Sequence, residues 1–190
     1  MAENIPATRR SRSGSGLRYS MPLIALHWSI GAISIGLIIA GFILSYAPFP
    51  SESYDSLHFW HRSFGTLIVP LTLLMLYRRM TGPPPPLQVP RWQRLLAALT
   101  KTVTYMLLIA IPLTKLYRGA FGLGFDFFGL TLSAPFPPDK PTAVLTGNLH
   151  YYLSMSLIAI LILHVSAAAW HNYIKNDSVV ARMLPKSSAE

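Results

Sequence analysis

His150-Tyr-Tyr-Leu-Ser-Met-Ser-Leu-Ile-Ala-Ile-Leu-Ile-Leu-His164 sets two imidazoles fourteen residues apart in one apolar stretch. On a helix, at roughly 100° and ~1.5 Å per residue, fourteen steps return to nearly the same face about 21 Å further along the axis. The two rings therefore point one way at two depths. In a helix that crosses a bilayer, one ring lies near each leaflet, on a face that can meet histidines from other helices. Haem takes axial histidine ligands, so two such levels would make a path for electrons across a membrane.

The rest of the chain supports a membrane setting. Its 190 residues are 52% hydrophobic and only 12% charged, about half the charge of an ordinary soluble domain. Four apolar runs approach or exceed the ~20 residues needed to span the hydrocarbon core: Pro22 to Tyr46, His58 to Tyr77, Leu95 to Tyr117 and Leu149 to His171. The predicted fold is an all-α membrane protein, a four-helix transmembrane bundle. The first run is too long for the apolar core of a cleaved signal peptide.

Basic residues set the orientation. Eleven of the sixteen Lys and Arg fall before the first run (Arg9, Arg10, Arg12, Arg18), between the second and third (Arg78, Arg79, Arg91, Arg94) or after the fourth (Lys175, Arg182, Lys186). Those segments are assigned to the cytoplasm, which puts both termini there. The opposite loops carry Glu52, Asp55, Asp126 and Asp139, four of the seven acids. The net charge of +9 thus reads as topology, and no nucleic-acid partner is expected, because the cations flank spans instead of sharing a folded patch.

Three segments are expected: a disordered cytoplasmic arm over 1–20, a four-helix domain over 21–175 and a cytoplasmic tail over 176–190. Gly82 to Pro86 reads as a stiff cytoplasmic turn. The outer loop over 118–147, with Phe125, Phe127, Phe128 and Phe136, is expected to lie over the bundle mouth as a lid. Lacking cysteine, the chain cannot offer thiolate ligation, hold an iron–sulfur cluster or attach haem covalently.

Depth pairs the histidines. His27, early in the first span, reaches the level of His164 near the inner leaflet. His58 and His61 begin the second span at the level of His150 near the outer leaflet. The simplest arrangement is His61 with His150 outside and His27 with His164 inside, two bis-histidine sites one above the other. Ionisable groups at membrane depth tend to mark function. His58, one turn from His61, is the alternative outer ligand, or a propionate or entry-site contact. His171, two turns below His164, is either an interfacial histidine or a quinone contact.

Several motifs together resemble the bacterial cytochrome b561 family. They are Arg18-Tyr19-Ser20 with Leu26-His27-Trp28, His61-Arg62-Ser63-Phe64-Gly65, Arg78-Arg79 leading to Pro83-Pro84-Pro85-Pro86, Phe128-Gly129-Leu130, the His150 to His164 stretch, Asn176-Asp177 and Arg182-Met183-Leu184. The likeness runs from about Arg18 to Leu184. It implies two haem b groups held by His27, His61, His150 and His164, a multi-pass place in the inner membrane, and electron exchange with quinone, in one type as a superoxide:ubiquinone oxidoreductase. It also implies a quinone end near His171. Two departures stand out. Lys101 precedes Tyr105 where the family often has histidine, and Pro112-Leu113-Thr114-Lys115 replaces the usual Pro-Leu-Ser-Gly.

The resulting expectation is transmembrane electron transfer between a periplasmic one-electron donor, such as superoxide, and the quinone pool. Arg62 and Lys115, with Arg118 and Lys140 on the same side, are candidate propionate or steering groups. His171, Arg18 and Lys101 are candidate quinone contacts. Membrane lipid, quinone, and superoxide or a periplasmic redox partner are the expected partners. Two alternatives stay open: a haem-bearing anchor subunit relaying electrons for a separate redox partner, and a haem-free transporter that uses its histidines for protons or metal ions.

Overall fold

The structure, a computed structural model, describes residues 18–48, 50–82, 89–176 and 179–185. Residues 1–17 of the expected arm, Pro83–Pro86 of the expected turn, Asp177, and the end of the tail from Lys186 lie outside the described residues. Four long helices dominate: α1 (Met21–Tyr46), α2 (Ser51–Thr81), α3 (Arg91–Ala120) and α4 (Lys140–Tyr173). All four are long and apolar enough to cross a membrane. Helix is the natural answer for such runs, because it pairs every backbone N–H and C=O within the segment where lipid offers no partner.

The bundle is apolar both inside and out. Ile30, Ile68, Met75, Leu107, Leu108 and Leu157 form the small buried centre, while residues such as Ile39, Leu73, Ile162 and Val165 are more than half exposed and face outward. α1 packs on α2, α2 on α3, and α3 most extensively on α4. α4 is held mainly by α3 and packs only slightly on α1 and α2 among the described residues.

The helices overrun the sequence-predicted spans. α2 begins at Ser51 instead of His58, α3 at Arg91 instead of Leu95, and α4 at Lys140 instead of Leu149. An apolar run marks only what lies in hydrocarbon, whereas a helix continues through the wet interface until its caps end it. At α4 the Asp139 carboxylate accepts from the Thr142 N–H at 2.9 Å, and Pro141 supplies the preset φ of a first turn. Hydrogen bonding to Thr142, through its side chain and then its backbone, holds this carboxyl below its ordinary value. A depressed carboxyl contributes stability above its unfolded pKa and loses it as pH falls through the folded one. The cap should therefore fray only in acid, and in Asp139→Asn the acid-dependent part of amide exchange near Thr142 should vanish.

The expected loop over 118–147 is consequently shorter, running from Phe121 to Asp139, and it is partly sheet. β1 (Phe125–Phe127) pairs antiparallel with β2 (Leu130–Leu132), Phe127 opposite Leu130. The two residues between them, Phe128 and Gly129, both have positive φ, 49° and 90°, as a tight hairpin turn of matching twist requires. The loop's base is fixed at Gly122, whose φ is +93° and where a Cβ would stand 2.8 Å from the Pro138 Cα. Strain of this kind costs on the order of 1–3 kcal/mol. Gly122→Ala should loosen the hairpin, seen as faster proteolysis within 121–139 while the helices remain intact; an unchanged cleavage rate would show that the hairpin is not anchored there.

The even number of spans brings the described ends of the chain to one face, where they touch. Tyr19 N–H donates to the Arg182 carbonyl at 3.2 Å, and Trp28 Nε1 donates to the Met183 carbonyl at 2.8 Å. Part of the expected tail thus folds back as a 3-10 turn, Ala181–Met183, and docks on α1.

Candidate functional site

The two histidine pairs form as depth predicts. The His27 and His164 ring centres are 6.2 Å apart, with planes at 60°. Those of His61 and His150 are 6.4 Å apart, at 65°. His61 and His150 are each the eleventh residue of their helices, counting from Ser51 and Lys140, so equal depth follows from register alone. His58 instead stacks on Tyr54, 6.0 Å between centres and 8° between planes.

These separations fit a metal-centred macrocycle. An iron between two imidazoles, with each nitrogen at about 2 Å and each ring centre ~1.1 Å beyond it, puts the ring centres ~6 Å apart. Both pairs join α4 to α1 or α2, across the spaces where α4 lacks close helix packing, which is where a planar ring needs room. Among the described residues no three His, Cys, Asp or Glu side chains converge as a metal site. Two protein ligands suit a porphyrin, which fills the other four positions, and leave a bare zinc ion undercoordinated.

The outer pair borders a cavity of about 640 Å³, within the range of cofactor pockets. Its walls include Gly41 on α1 and Gly65 on α2. A Cβ on Gly41 would sit 3.5 Å from the His61 Cε1, and one on Gly65 would meet nothing within 4 Å, so the glycines widen the space beside the rings. Arg62, Lys115 and Arg118 also line it, with Asp126 from the hairpin. Arg62 pairs with Asp126 at 2.8 Å and also reaches the Gly124 carbonyl at 3.4 Å. Phe128 N–H donates to the fully buried Ser63 hydroxyl at 3.1 Å. The hairpin is thereby tied to α2 directly after His61 and closes one wall of the cavity.

His150 has its second nitrogen engaged. Its Nδ1 lies 3.2 Å from the Ile111 carbonyl and 3.1 Å from the Thr114 hydroxyl. A carbonyl only accepts, so Nδ1 carries the proton and the Nε2 lone pair is left for a metal. Thr114 and the Ile111 carbonyl escape a reading that looks only for ligands, since neither is ionisable. The signal available was position: Thr114 stands beside Lys115, at a depth on α3 that faces His150.

At the inner pair, Trp28 packs edge-on against His27, 5.6 Å between centres, and its indole bond to Met183 holds the C-terminal turn beside this site. Arg182 is 5% exposed, with its guanidinium 5.4 Å from the Tyr19 ring centre; that of Arg79 is 5.9 Å away and donates to the Tyr105 hydroxyl at 2.8 Å. Lys101 lies one turn before Tyr105 on the exposed side of α3. Arg18 reaches the Pro185 carbonyl at 3.5 Å. His171 lies in the last turn of α4, edge-on to Trp170 at 5.1 Å. The three candidate quinone contacts lie toward the end of the bundle where the chain's described ends meet.

Paired histidines at two depths of a membrane-spanning helical bundle are an arrangement that a b-type cytochrome requires. The profile of the prokaryotic cytochrome b561 family matches residues 18–186, and the chain belongs to that family. Curated relatives agree. "Cytochrome b561 homolog 2" of Escherichia coli K12 is 29% identical over 177 residues, 91% of this chain and 94% of that protein. "Cytochrome b561 homolog 1" of the same organism is 28% identical over 176 residues, 89% and 98% of the two chains. "Probable superoxide oxidase CybB" of Yersinia pestis is 28% identical over 177 residues, 89% and 97%. This is a bacterial membrane protein of the haem-b, electron-transferring kind.

Proposed function

We propose that the protein holds two b-type haems, one between His61 and His150 and one between His27 and His164, and links a periplasmic one-electron donor, with superoxide foremost, to the membrane quinone pool. The observation that carries this reading is the pair of imidazole couples at iron-spanning separation, set ~21 Å apart along α4 by its fourteen-residue step. Haem ligated on both faces supplies one-electron redox chemistry without an open iron position.

The chain's own groups do the rest. Lys115 and Arg118 border the outer cavity, and among the described residues no acid stands within ion-pair distance of either, while the Arg118 Nε is buried without a hydrogen-bond partner. They are suited to hold propionates. Arg62, shared with Asp126, adds a third cation to that face, and a cationic mouth draws small anions inward by steering. At the other end His171, Lys101 and Arg18 are the groups we assign to quinone oxygens, with the His171 imidazole as the carrier of the accompanying proton. A relative named as a probable superoxide oxidase supports the donor.

The basic bias orients this arrangement, with both termini in the cytoplasm and the hairpin in the periplasm. Fusions at the C-terminal end should be active with a cytoplasmic reporter and silent with a periplasmic one; the reverse pattern would invert the proposed direction. The function is tested by mixing oxidised protein with a superoxide-generating system and following the haem bands, then adding quinone. Reduction by superoxide and reoxidation by quinone are expected. Bands that superoxide leaves unchanged, but that a copurifying soluble protein reduces, would favour the anchor-subunit reading instead.

A further inference from the structure

The two members of the outer pair are held very differently. The His61 Nδ1 is buried with no hydrogen-bond partner among the described residues, whereas the His150 Nδ1 meets two oxygens, at 3.1 and 3.2 Å. Those two oxygens are themselves connected, because the Thr114 hydroxyl donates to the Ile111 carbonyl at 2.7 Å. With its proton committed to Ile111, the Thr114 oxygen presents only lone pairs to His150. A hydroxyl that donates is also a better acceptor, since hydrogen bonds in a chain polarise one another.

The setting fixes Thr114 in this role. Thr114 lies two residues past Pro112, inside α3, with its hydroxyl turned back to the Ile111 carbonyl of the preceding turn. α3 is the helix on which α4 packs most extensively, so an anchor on α3 is an anchor on the firmest neighbour of His150. His61, on α2, lies across the cavity from that support.

We propose that Thr114 is a positioning residue for the outer haem: its hydroxyl, in relay with the Ile111 carbonyl, fixes the plane and tautomer of His150 and makes that imidazole the stronger electron donor of an asymmetric axial pair. An Nδ1–H that donates to a good acceptor raises the basicity of the coordinating nitrogen. A more basic ligand favours ferric over ferrous iron, so the hydroxyl lowers the midpoint potential of the outer haem. The inference rests on the proposed haem between His61 and His150.

Thr114→Val keeps the branched shape and removes the hydroxyl, and Thr114→Ser keeps the hydroxyl and removes the methyl. In redox titrations of the purified, haem-loaded protein, the Val variant should raise the outer-haem midpoint by up to a tenfold change in the reduction constant, ~59 mV for a one-electron couple. It should also shift the low-field electron paramagnetic resonance feature of that haem, which reports the angle between the ligand planes, and speed haem transfer to apomyoglobin by about tenfold. The inner haem, in the same molecule, should stay unchanged, and Ser should restore all three readouts. A Val variant indistinguishable from the unsubstituted protein overturns the proposal. So does a Ser variant that behaves like Val, since packing would then be the cause. If the Val variant accumulates too poorly to titrate, the comparison passes to Thr114→Ser against Thr114→Ala, with the same outcomes deciding. Failure of the haem assignment itself would look different, as an unsubstituted protein without an outer-haem signal.

Discussion

Purified His61→Ala and His150→Ala proteins should each retain one haem fewer than the unsubstituted chain, and both should lose the same spectral component. His27→Ala and His164→Ala should lose the other. Each imidazole faces one histidine partner, 6.4 Å away in the outer pair and 6.2 Å in the inner, so removing one would leave a haem proposed there with a single histidine to hold it. No third His, Cys, Asp or Glu converges on either pair among the described residues to replace it. The effect is close to all-or-none, and it is not additive: the double variant His61→Ala/His150→Ala should be no worse than either single one. If His27→Ala and His61→Ala emptied the same site, the vertical pairing would be wrong. If His58 rescued His61→Ala, the Tyr54 stack would have to be a state it can leave.

His171→Ala should keep both haem bands and their reduction by an artificial donor, yet slow their reoxidation by quinone at least tenfold, below the ~10²–10⁴ usual for positioned proton-transfer groups. Seven residues separate it from His164, about 10 Å along the same helical face, too far for both to hold one iron. Loss of a haem in this variant would make His171 a ligand. Unchanged quinone kinetics would make it an interfacial side chain, packed on Trp170, with no part in quinone chemistry.

The sequence carried the four spans and the level of the histidines because run length and helical spacing are both local properties. Apolar length decides what crosses a bilayer, and a fourteen-residue step decides what shares a face. Helix ends were less legible. The Ser51–Leu57 turns of α2 and the Lys140–Asn148 turns of α4 are polar or mixed, so hydropathy stops where the helices do not. The Asp139-Lys140-Pro141 start was a readable capping signal. The hairpin was readable too, as Phe-Asp-Phe and Leu-Thr-Leu alternating on either side of Phe128-Gly129, but such short strands are overshadowed by a loop rich in glycine, proline and aromatics.

What periodicity could not supply is contact between distant segments. Trp28 and Met183 are 155 positions apart, and nothing local to either marks the other. The Arg62–Asp126 pair has the same character. Arg62, a candidate propionate or steering group, is shared with the hairpin through Asp126. Thr114 was visible as a departure from the family's serine, although its meaning appears only when the His150 ring is placed beside it.

The most direct test of the account is the haem content of the purified full chain, measured by acid–acetone extraction and a redox-titrated visible spectrum. With no cysteine in the sequence, the haem is not covalently attached and should be extracted completely. Two haems per chain, titrating as two low-spin components, is the expected result. One haem per chain, or none, would contradict the stacked bis-histidine sites on which the proposed electron path depends.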